Sequence, residues 1–333
     1  MISAQAPITS SRRTIIEATS EQATSDSRIC PACGGTGVSR FLSAPDRFHG
    51  RRELYHLRSC PFCSCIWLVS PPTPEEMPFH YGRDYHNAIA IGGEGSPVKR
   101  WESERETVLK YKQCGSILDI GCSSGAFLST MPVGSWKLYG IEMDPSMADR
   151  ARQTTDAEVF TGDAINAPFA PESFDIVTSF DVLEHVYDSK VFLAKVWQWL
   201  KPGGIYCVRV PNIDCWEARM LGSFWYGLEL PRHLFHFSPR SLSLVMRALG
   251  FEEVQVQTSP VSYLEYSAGY FYSAMLERLG FSARPLSQSR PPGFTRRAVR
   301  KAVRLTVVEP FGWLASRFGA GASILGIFRK PGE

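Results

Sequence analysis

Asp119, Gly121, Gly125 and Glu142 are the residues whose types and spacing define a chemistry most sharply in this chain. Asp119 lies in the run Ile117-Leu118-Asp119-Ile120, whose aliphatic and β-branched residues suit a buried parallel strand. Gly121 and Gly125 then let the backbone turn sharply and let a ligand approach where a Cβ would intrude. About twenty residues on, as in a mononucleotide-binding βαβ unit, Tyr139-Gly140-Ile141-Glu142 ends a second strand in a carboxylate suited to two ribose hydroxyls. The spacing is Asp-x-Gly-x-x-x-Gly rather than Gly-x-Gly-x-x-Gly, and Asp119 stands where a pyrophosphate would pass on its way to a helix N-terminus. A cationic ligand without phosphate, such as S-adenosylmethionine with its ammonium and sulfonium, fits this corner, whereas a dinucleotide is repelled. The competing reading is an ordinary strand-turn-helix corner with no ligand, because short glycine motifs are weak.

Cysteine supplies a second chemistry. Five of the nine cysteines fall between Cys30 and Cys65, as Cys30-Pro31-Ala32-Cys33 and Cys60-Pro61-Phe62-Cys63 with Cys65 following. Two Cys-x-x-Cys knuckles separated by a strand-forming segment are what a tetrahedral zinc ribbon needs, so Cys30, Cys33, Cys60 and Cys63 are the expected ligands of one zinc. A redox pair, iron in place of zinc, unligated thiols, and substitution of a thiolate by His49 or His56 are the alternatives. Cys114, Cys122, Cys207 and Cys215 fall in or beside core elements and read as buried thiols; disulfides are not expected, which favours a reducing cytoplasm.

A third chemistry is proton transfer. The segment from Trp216 to Phe237 is dense in aromatic residues and holds His233 and His236 just before a helix start marked by Ser238 and Pro239, while Glu184 and His185 follow a strand ending near Ser179 and Phe180. A hydroxyl that attacks a sulfonium methyl must lose its proton, and histidine is matched to that task near neutral pH, so His233, His236 and His185 are the candidate bases. Equally, each can serve only as a structural hydrogen-bond donor.

With these residues placed, the chain resembles the class I S-adenosylmethionine-dependent methyltransferases. Asp119 to Gly125 is similar to their first motif and Glu142 to their ribose-binding acid. Thr161-Gly162-Asp163-Ala164 resembles the loop whose aspartate holds the adenine amino group, Phe174 to Ser179 their fourth strand, and Leu200-Lys201-Pro202-Gly203-Gly204 the turn into their fifth. The resemblance implies a Rossmann-like α/β fold with a mostly parallel, seven-stranded sheet. It also implies that Asp119, Gly121, Cys122, Ser123, Gly125, Glu142, Met143, Asp163, Ala164, Ser179 and Phe180 bind S-adenosylmethionine. Ser123, where many relatives have glycine, is a departure that narrows the turn. A ribbon followed by Pro-rich and Tyr-rich elements resembles a bacterial group acting on sugars, natural products and cell-envelope precursors.

The elements that must position these residues follow from pattern. At 333 residues and 44% hydrophobic, the chain holds a Rossmann-like domain with appendages. The expected division is a disordered tail over 1–28, a zinc ribbon over 29–70, and connector helices over 71–113. The cofactor domain covers 114–260 plus 320–333, interrupted by a helical insertion over 261–319. Strands are expected at Ser116–Ile120, Lys137–Ile141, Glu158–Phe160, Asp175–Ser179, Gly204–Val210 and Ser323–Phe328, and Val191, Leu193, Val196 and Leu200 as a buried helix face. The N-terminal stretch lacks an apolar signal core, and Glu17, Glu21 and Asp26 count against an organellar presequence.

A net charge of +3 is too small to imply nucleic acid, and no DNA partner is expected. Nothing spells Asn-Pro-Pro-Tyr or Asp-Pro-Pro-Tyr after the fourth strand, which lowers the weight of nucleobases. The expected acceptor is a small-molecule or lipid-linked hydroxyl, on a sugar, lipid-linked saccharide or secondary metabolite. An RNA methyltransferase gripping RNA through its ribbon and a non-catalytic cofactor-binding scaffold are the alternatives. Arg296, Arg297, Arg300, Lys301 and Arg304, with Val299, Val303, Phe311, Trp313 and Leu314, make 296–314 a basic amphipathic stretch. It is read either as a cap on the substrate site or as a peripheral contact with the inner face of a membrane. The oligomeric state is not legible.

Overall fold

A computed structural model describes residues 28–81, 97–282 and 302–332. All but the last residue of the expected tail, Asp84, Tyr85 and His86 of the connector, and Val299, Arg296, Arg297, Arg300 and Lys301 lie outside the described residues. The first sheet begins with three antiparallel strands, β1 (Ser39–Pro45), β2 (Leu54–Ser59) and β3 (Ile66–Val69). Its fourth strand comes from far along the chain: β9 (Phe235–His236) pairs with β3 through Ile66↔His236 and Trp67↔Phe235. The ribbon is thereby hydrogen-bonded to the segment that carries two of the candidate bases.

The second sheet has seven strands. They are β4 (Gly115–Ile120), β5 (Trp136–Glu142), β6 (Glu158–Thr161), β7 (Phe174–Phe180), β8 (Leu200–Pro211), β10 (Glu252–Ser259) and β11 (Ser323–Arg329). Their order is β10-β11-β8-β7-β4-β5-β6. The five from β8 to β6 are parallel, and β11 runs antiparallel to both its neighbours. The expected mostly parallel, seven-stranded α/β sheet is present. The chain winds outward from β4 in one direction and from β7 in the other, so the crevice past the carboxyl ends of β4 and β7 is the switch point where ligands of such sheets sit.

Sequence explains the strands locally. Ile117 and Leu118 of β4 and Ile176 and Val177 of β7 are fully buried, as strands covered on both faces require. Helix α4 (Ser189–Trp199) is capped by the Asp188 carboxylate, which accepts from the Lys190 and Val191 amides. It buries Phe192, Leu193, Val196 and Trp199, whereas Val191 faces outward and Leu200 opens β8; the apolar face is rotated from the one expected, because bulky Phe192 and Trp199 fill the groove over the sheet. Helix α6 (Pro239–Ala248) starts at the Ser238 cap with Pro239 at its first position, as read from sequence. Cys122, Cys207 and Cys215 are buried, but Cys114 is exposed, since it precedes β4 where the chain is still entering the sheet.

Before the sheet lie α1 (Pro78–Tyr81) and α2 (Pro97–Tyr111), while α3 (Pro145–Thr154) follows β5 and α5 (Trp216–Leu221) follows β8. In the interrupted region are α7 (Leu264–Arg278) and α8 (Glu309–Arg317), followed by β11. No helix among the described residues is long and apolar enough to cross a membrane.

Candidate functional site

The glycine turn after β4 is built for close approach. Gly121 has φ +72° and Gly125 φ +76°; a Cβ at Gly121 would stand 2.5 Å from Val182 Cγ2, and one at Gly125 3.2 Å from Ala151 Cα. Between them Ser123 takes φ +49°, a conformation that costs a non-glycine residue about 1–3 kcal/mol and so marks a constrained turn. Its amide donates to Glu142 Oε2 at 2.9 Å, and the Asp144 amide donates to Glu142 Oε1 at 2.9 Å. Glu142 is thus locked at the end of β5 with lone pairs on both oxygens still open for ribose hydroxyls.

Asp119 is 4% exposed, and its Oδ1 accepts from the Thr178 hydroxyl at 2.7 Å. Burial pushes its carboxyl up from 3.8 to about 7, against the opposing hydrogen bond of Thr178, and the nearby Glu142 adds to the rise. A cation placed beside a buried carboxyl favours its ionised form and offsets the cost of burial.

Of the other expected cofactor residues, Asp163 caps a short turn by accepting from the Ile165 amide at 3.0 Å, and Ala164 beside it is buried. Met143 is exposed just beyond β5, and Cys122 is buried with its thiol pushed up by burial. Phe180 packs edge-on to Phe127 and near Trp101 of α2. The Ser179 hydroxyl is 2.6 Å from Tyr206 OH in the core, so its side chain turns away from the crevice.

Next to the crevice, beyond β7, lies a cluster of ionisable side chains. The His185 Nδ1 is 3.0 Å from the Arg232 carbonyl and 3.2 Å from Tyr81 OH. A carbonyl only accepts, so Nδ1 carries the proton and Nε2 keeps its lone pair. Burial and the neighbouring His233 lower this imidazole to about 3, leaving it neutral. His233 differs. Its Nδ1 donates to the Gly227 carbonyl at 2.9 Å and its Nε2 lies 3.2 Å from Glu229 Oε2. Burial opposes its charged form, but Glu229 overrides that and raises it. In turn burial would raise Glu229, yet His233 and Arg232 hold it well below the usual carboxylate range. His236 is buried, its Nε2 finds no hydrogen-bond partner among the described residues, and burial pushes it well down. Glu184 is 1% exposed, neither carboxyl oxygen has a hydrogen-bond partner among the described residues, and burial raises it. Glu184, His185 and His233 each bring a donor atom within 4.8 Å of the others. Burial raises Glu184 and lowers His185 while Glu229 raises His233, so the proton affinities of three neighbouring groups are pushed apart.

Sequence reasoning missed Glu229, Arg232, Thr178 and Asp46. The available signal for the first two was Glu229-Leu230-Pro231-Arg232, opposite charges in an otherwise apolar and aromatic stretch, which only mutual pairing makes tolerable in a core.

The four ribbon cysteines converge as expected. Cys30 Sγ is 3.6 Å from Cys63 Sγ, Cys33 Sγ is 3.5 Å from Cys60 Sγ, and all four lie within 4.8 Å of one another. Zinc–sulfur bonds of about 2.3 Å in a tetrahedron place the sulfurs about 3.8 Å apart, so the donor set and its spacing fit zinc. Each knuckle closes on its first cysteine, with the Gly34 amide donating to the Cys30 carbonyl at 2.8 Å and the Ser64 amide to the Cys60 carbonyl at 3.0 Å. His49 and His56 stand elsewhere, on Asp46 and on Ser43.

Comparison with known proteins places this geometry. A methyltransferase-domain family model matches residues 98–256. A probable S-adenosylmethionine-dependent methyltransferase of Mycolicibacterium smegmatis is 25% identical over 187 residues, covering 54% of this chain and 65% of that protein. A ubiquinone biosynthesis O-methyltransferase of Azorhizobium caulinodans is 30% identical over 149 residues, 41% of this chain and 58% of the relative. The matches thus span about half to just under two thirds of these relatives' own lengths. A crystal structure of an S-adenosylmethionine-dependent methyltransferase from Archaeoglobus fulgidus superposes with a TM-score of 0.50 at 18% identity, covering 74% of this chain and all of that one, which establishes the shared fold.

Proposed function

Residues 98–256 belong to the class I S-adenosylmethionine-dependent methyltransferases, and from that premise we propose that the protein transfers a methyl group to a hydroxyl of a sugar, lipid-linked saccharide or secondary metabolite. The observation that carries the reading is the neutral imidazole of His185, its Nδ1–H fixed on the Arg232 carbonyl and its Nε2 lone pair open. A hydroxyl acceptor must give up its proton as its oxygen attacks, and a fixed, neutral imidazole takes it. The donor, when bound, supplies the electrophilic methyl. Asp119, Glu142 and the glycine turn would hold it, with Asp163 toward the adenine.

The rest is alignment in a water-poor pocket. Tyr81 reaches in from the ribbon side, and Glu184 offers a buried carboxyl to the incoming hydroxyl. Zinc on the four ribbon cysteines would hold the ribbon folded, and with it β3 against β9. Val303, Leu305, Phe311, Trp313, Leu314 and Phe318 are all exposed, an arrangement that supports a lipid-linked acceptor and peripheral contact with a membrane.

The test is a screen of sugars, lipid-linked saccharides and secondary metabolites with labelled methyl donor. Label on an oxygen of one of these supports the reading. Label on RNA alone, or bound donor with no turnover across the panel, refutes it.

A further inference from the structure

The ribbon has no place in the chemistry just described, yet it sends one carboxylate deep into the molecule. Asp46 follows β1 and is 0% exposed. Its Oδ2 lies 2.9 Å from His49 Nδ1, 3.8 Å from His80 Nδ1 and 4.0 Å from Arg51 Nη1. Its Oδ1 lies 3.8 Å from Arg232 Nη1 and also accepts from the His49 amide at 3.2 Å. The Arg232 side chain is itself fully buried. It donates from Nη1 to the His80 carbonyl at 2.9 Å and from Nε to Glu229 Oε1 at 3.4 Å, with its guanidinium carbon 4.9 Å over the Phe48 ring. Glu229 uses its other oxygen, Oε2, on His233. The charges therefore alternate along one buried line: Asp46 from the ribbon, Arg232, Glu229, His233.

We propose that Asp46 is a positioning residue for the methyl-transfer site: by sharing the Arg232 guanidinium it leaves Glu229 on His233, and so the ribbon sets the charge pattern in which His185 works. The inference rests on the proposed hydroxyl methylation for its functional meaning, but the geometry stands without it. The Arg232 guanidinium lies between two carboxylates, Asp46 and Glu229, and is shared by both. With Asp46 neutralised, Glu229 is the only carboxylate of this line left to Arg232, in a medium where an uncompensated charge is strongly disfavoured. Glu229 is then drawn toward Arg232 and away from His233. The other titratable groups facing His233 are Glu184 and His185 beyond β7 and His236 on β9. Glu184 is the other carboxyl among them; burial raises it to about 8, and it adds less to the rise of His233 than Glu229, whose Oε2 lies 3.2 Å from the His233 Nε2.

The experiment uses full-length, zinc-replete protein with isotope-labelled histidine, following the His233 ring by NMR against pH. Asp46→Asn is expected to lower the His233 titration midpoint by about one pH unit, a tenfold loss of proton affinity. Arg232→Met, which frees Glu229 for His233 alone, is expected to raise it. Asp46→Glu should restore wild-type behaviour. Affinity for S-adenosylhomocysteine, read by calorimetry, should be unchanged in all three. Opposite shifts from two substitutions that both cut the same line are not what general loosening produces, and Arg232→Met remains readable if Asp46→Asn does not fold. An unmoved midpoint, shifts in the same direction, or loss of S-adenosylhomocysteine binding in parallel with the shifts would overturn the proposal. Because the readout is the imidazole and not methyl transfer, it stands or falls separately from the acceptor reading.

Discussion

Asp119→Asn is the substitution whose consequences the structure fixes most completely. The wild-type carboxyl is buried and pushed up from 3.8 to about 7. Between about pH 4 and about pH 7 the folded protein therefore holds a proton that the unfolded chain has released, so stability falls as pH rises through that window and levels off above it. At about 1.4 kcal/mol per pKa unit, the full loss is about 4 kcal/mol. Asparagine keeps the acceptor that Thr178 uses and cannot ionise. Its amide nitrogen needs a partner, which offsets part of the gain, so the ligand-free variant should be about 2 kcal/mol more stable than wild type at about pH 8 and no more stable at about pH 4.

Binding should move the other way. A cation beside Asp119 demands the ionised form, so wild-type affinity for S-adenosylmethionine should improve by up to about tenfold per pH unit from about pH 5 to about pH 7 and then plateau. The variant should bind more weakly at about pH 8 and show little pH dependence. Calorimetry in two buffers of different ionisation enthalpy, which counts protons released on binding, together with thermal melts over the same range, checks both arms. Equal affinity and equal pH dependence in the two proteins would refute the charge argument for this turn.

Three further outcomes are expected. Elemental analysis should find one zinc per chain, and Cys30→Ser or Cys63→Ser should lose it and lower the melting temperature; metal-free wild-type protein that melts unchanged would remove the ribbon reading. His185→Ala should reduce turnover by about a hundredfold or more while S-adenosylhomocysteine affinity holds, whereas His236→Ala should affect stability more than turnover; the reverse ranking would reassign the base. Gly121→Ala should destabilise by roughly 1–3 kcal/mol and weaken donor binding, because it combines φ +72° with a Cβ 2.5 Å from Val182 Cγ2; a variant as stable as wild type and binding equally well would show that this turn tolerates a side chain.

Taken alone, the sequence determines what is written in local backbone chemistry. Apolar runs ended by Gly121 and Glu142, and one that follows Lys201-Pro202-Gly203, located parallel strands to within a few residues, because strand periodicity and glycine turns are short-range properties; the expected turn at Lys201–Gly203 proved to be the first part of β8, which begins at Leu200. The two Cys-x-x-Cys knuckles announced their own convergence, since each brings two of the four thiols together by itself and the strands between them bring the pairs face to face. Tertiary structure decided the protonation and pairing of the histidines. His233 and His236 look alike in the sequence, three residues apart before one helix, yet one is doubly hydrogen-bonded and paired with Glu229, and the other is buried without a partner at Nε2. His185 keeps Nε2 as its unprotonated nitrogen only because the Arg232 carbonyl, forty-seven residues away, accepts from its Nδ1. Likewise, nothing near residue 46 in the chain foretells Arg232. That pairing exists because β9 joins the ribbon's sheet and carries the loop before it against Asp46, and long-range hydrogen bonding and burial of this kind depend on which surfaces meet, a quantity that no window of sequence contains.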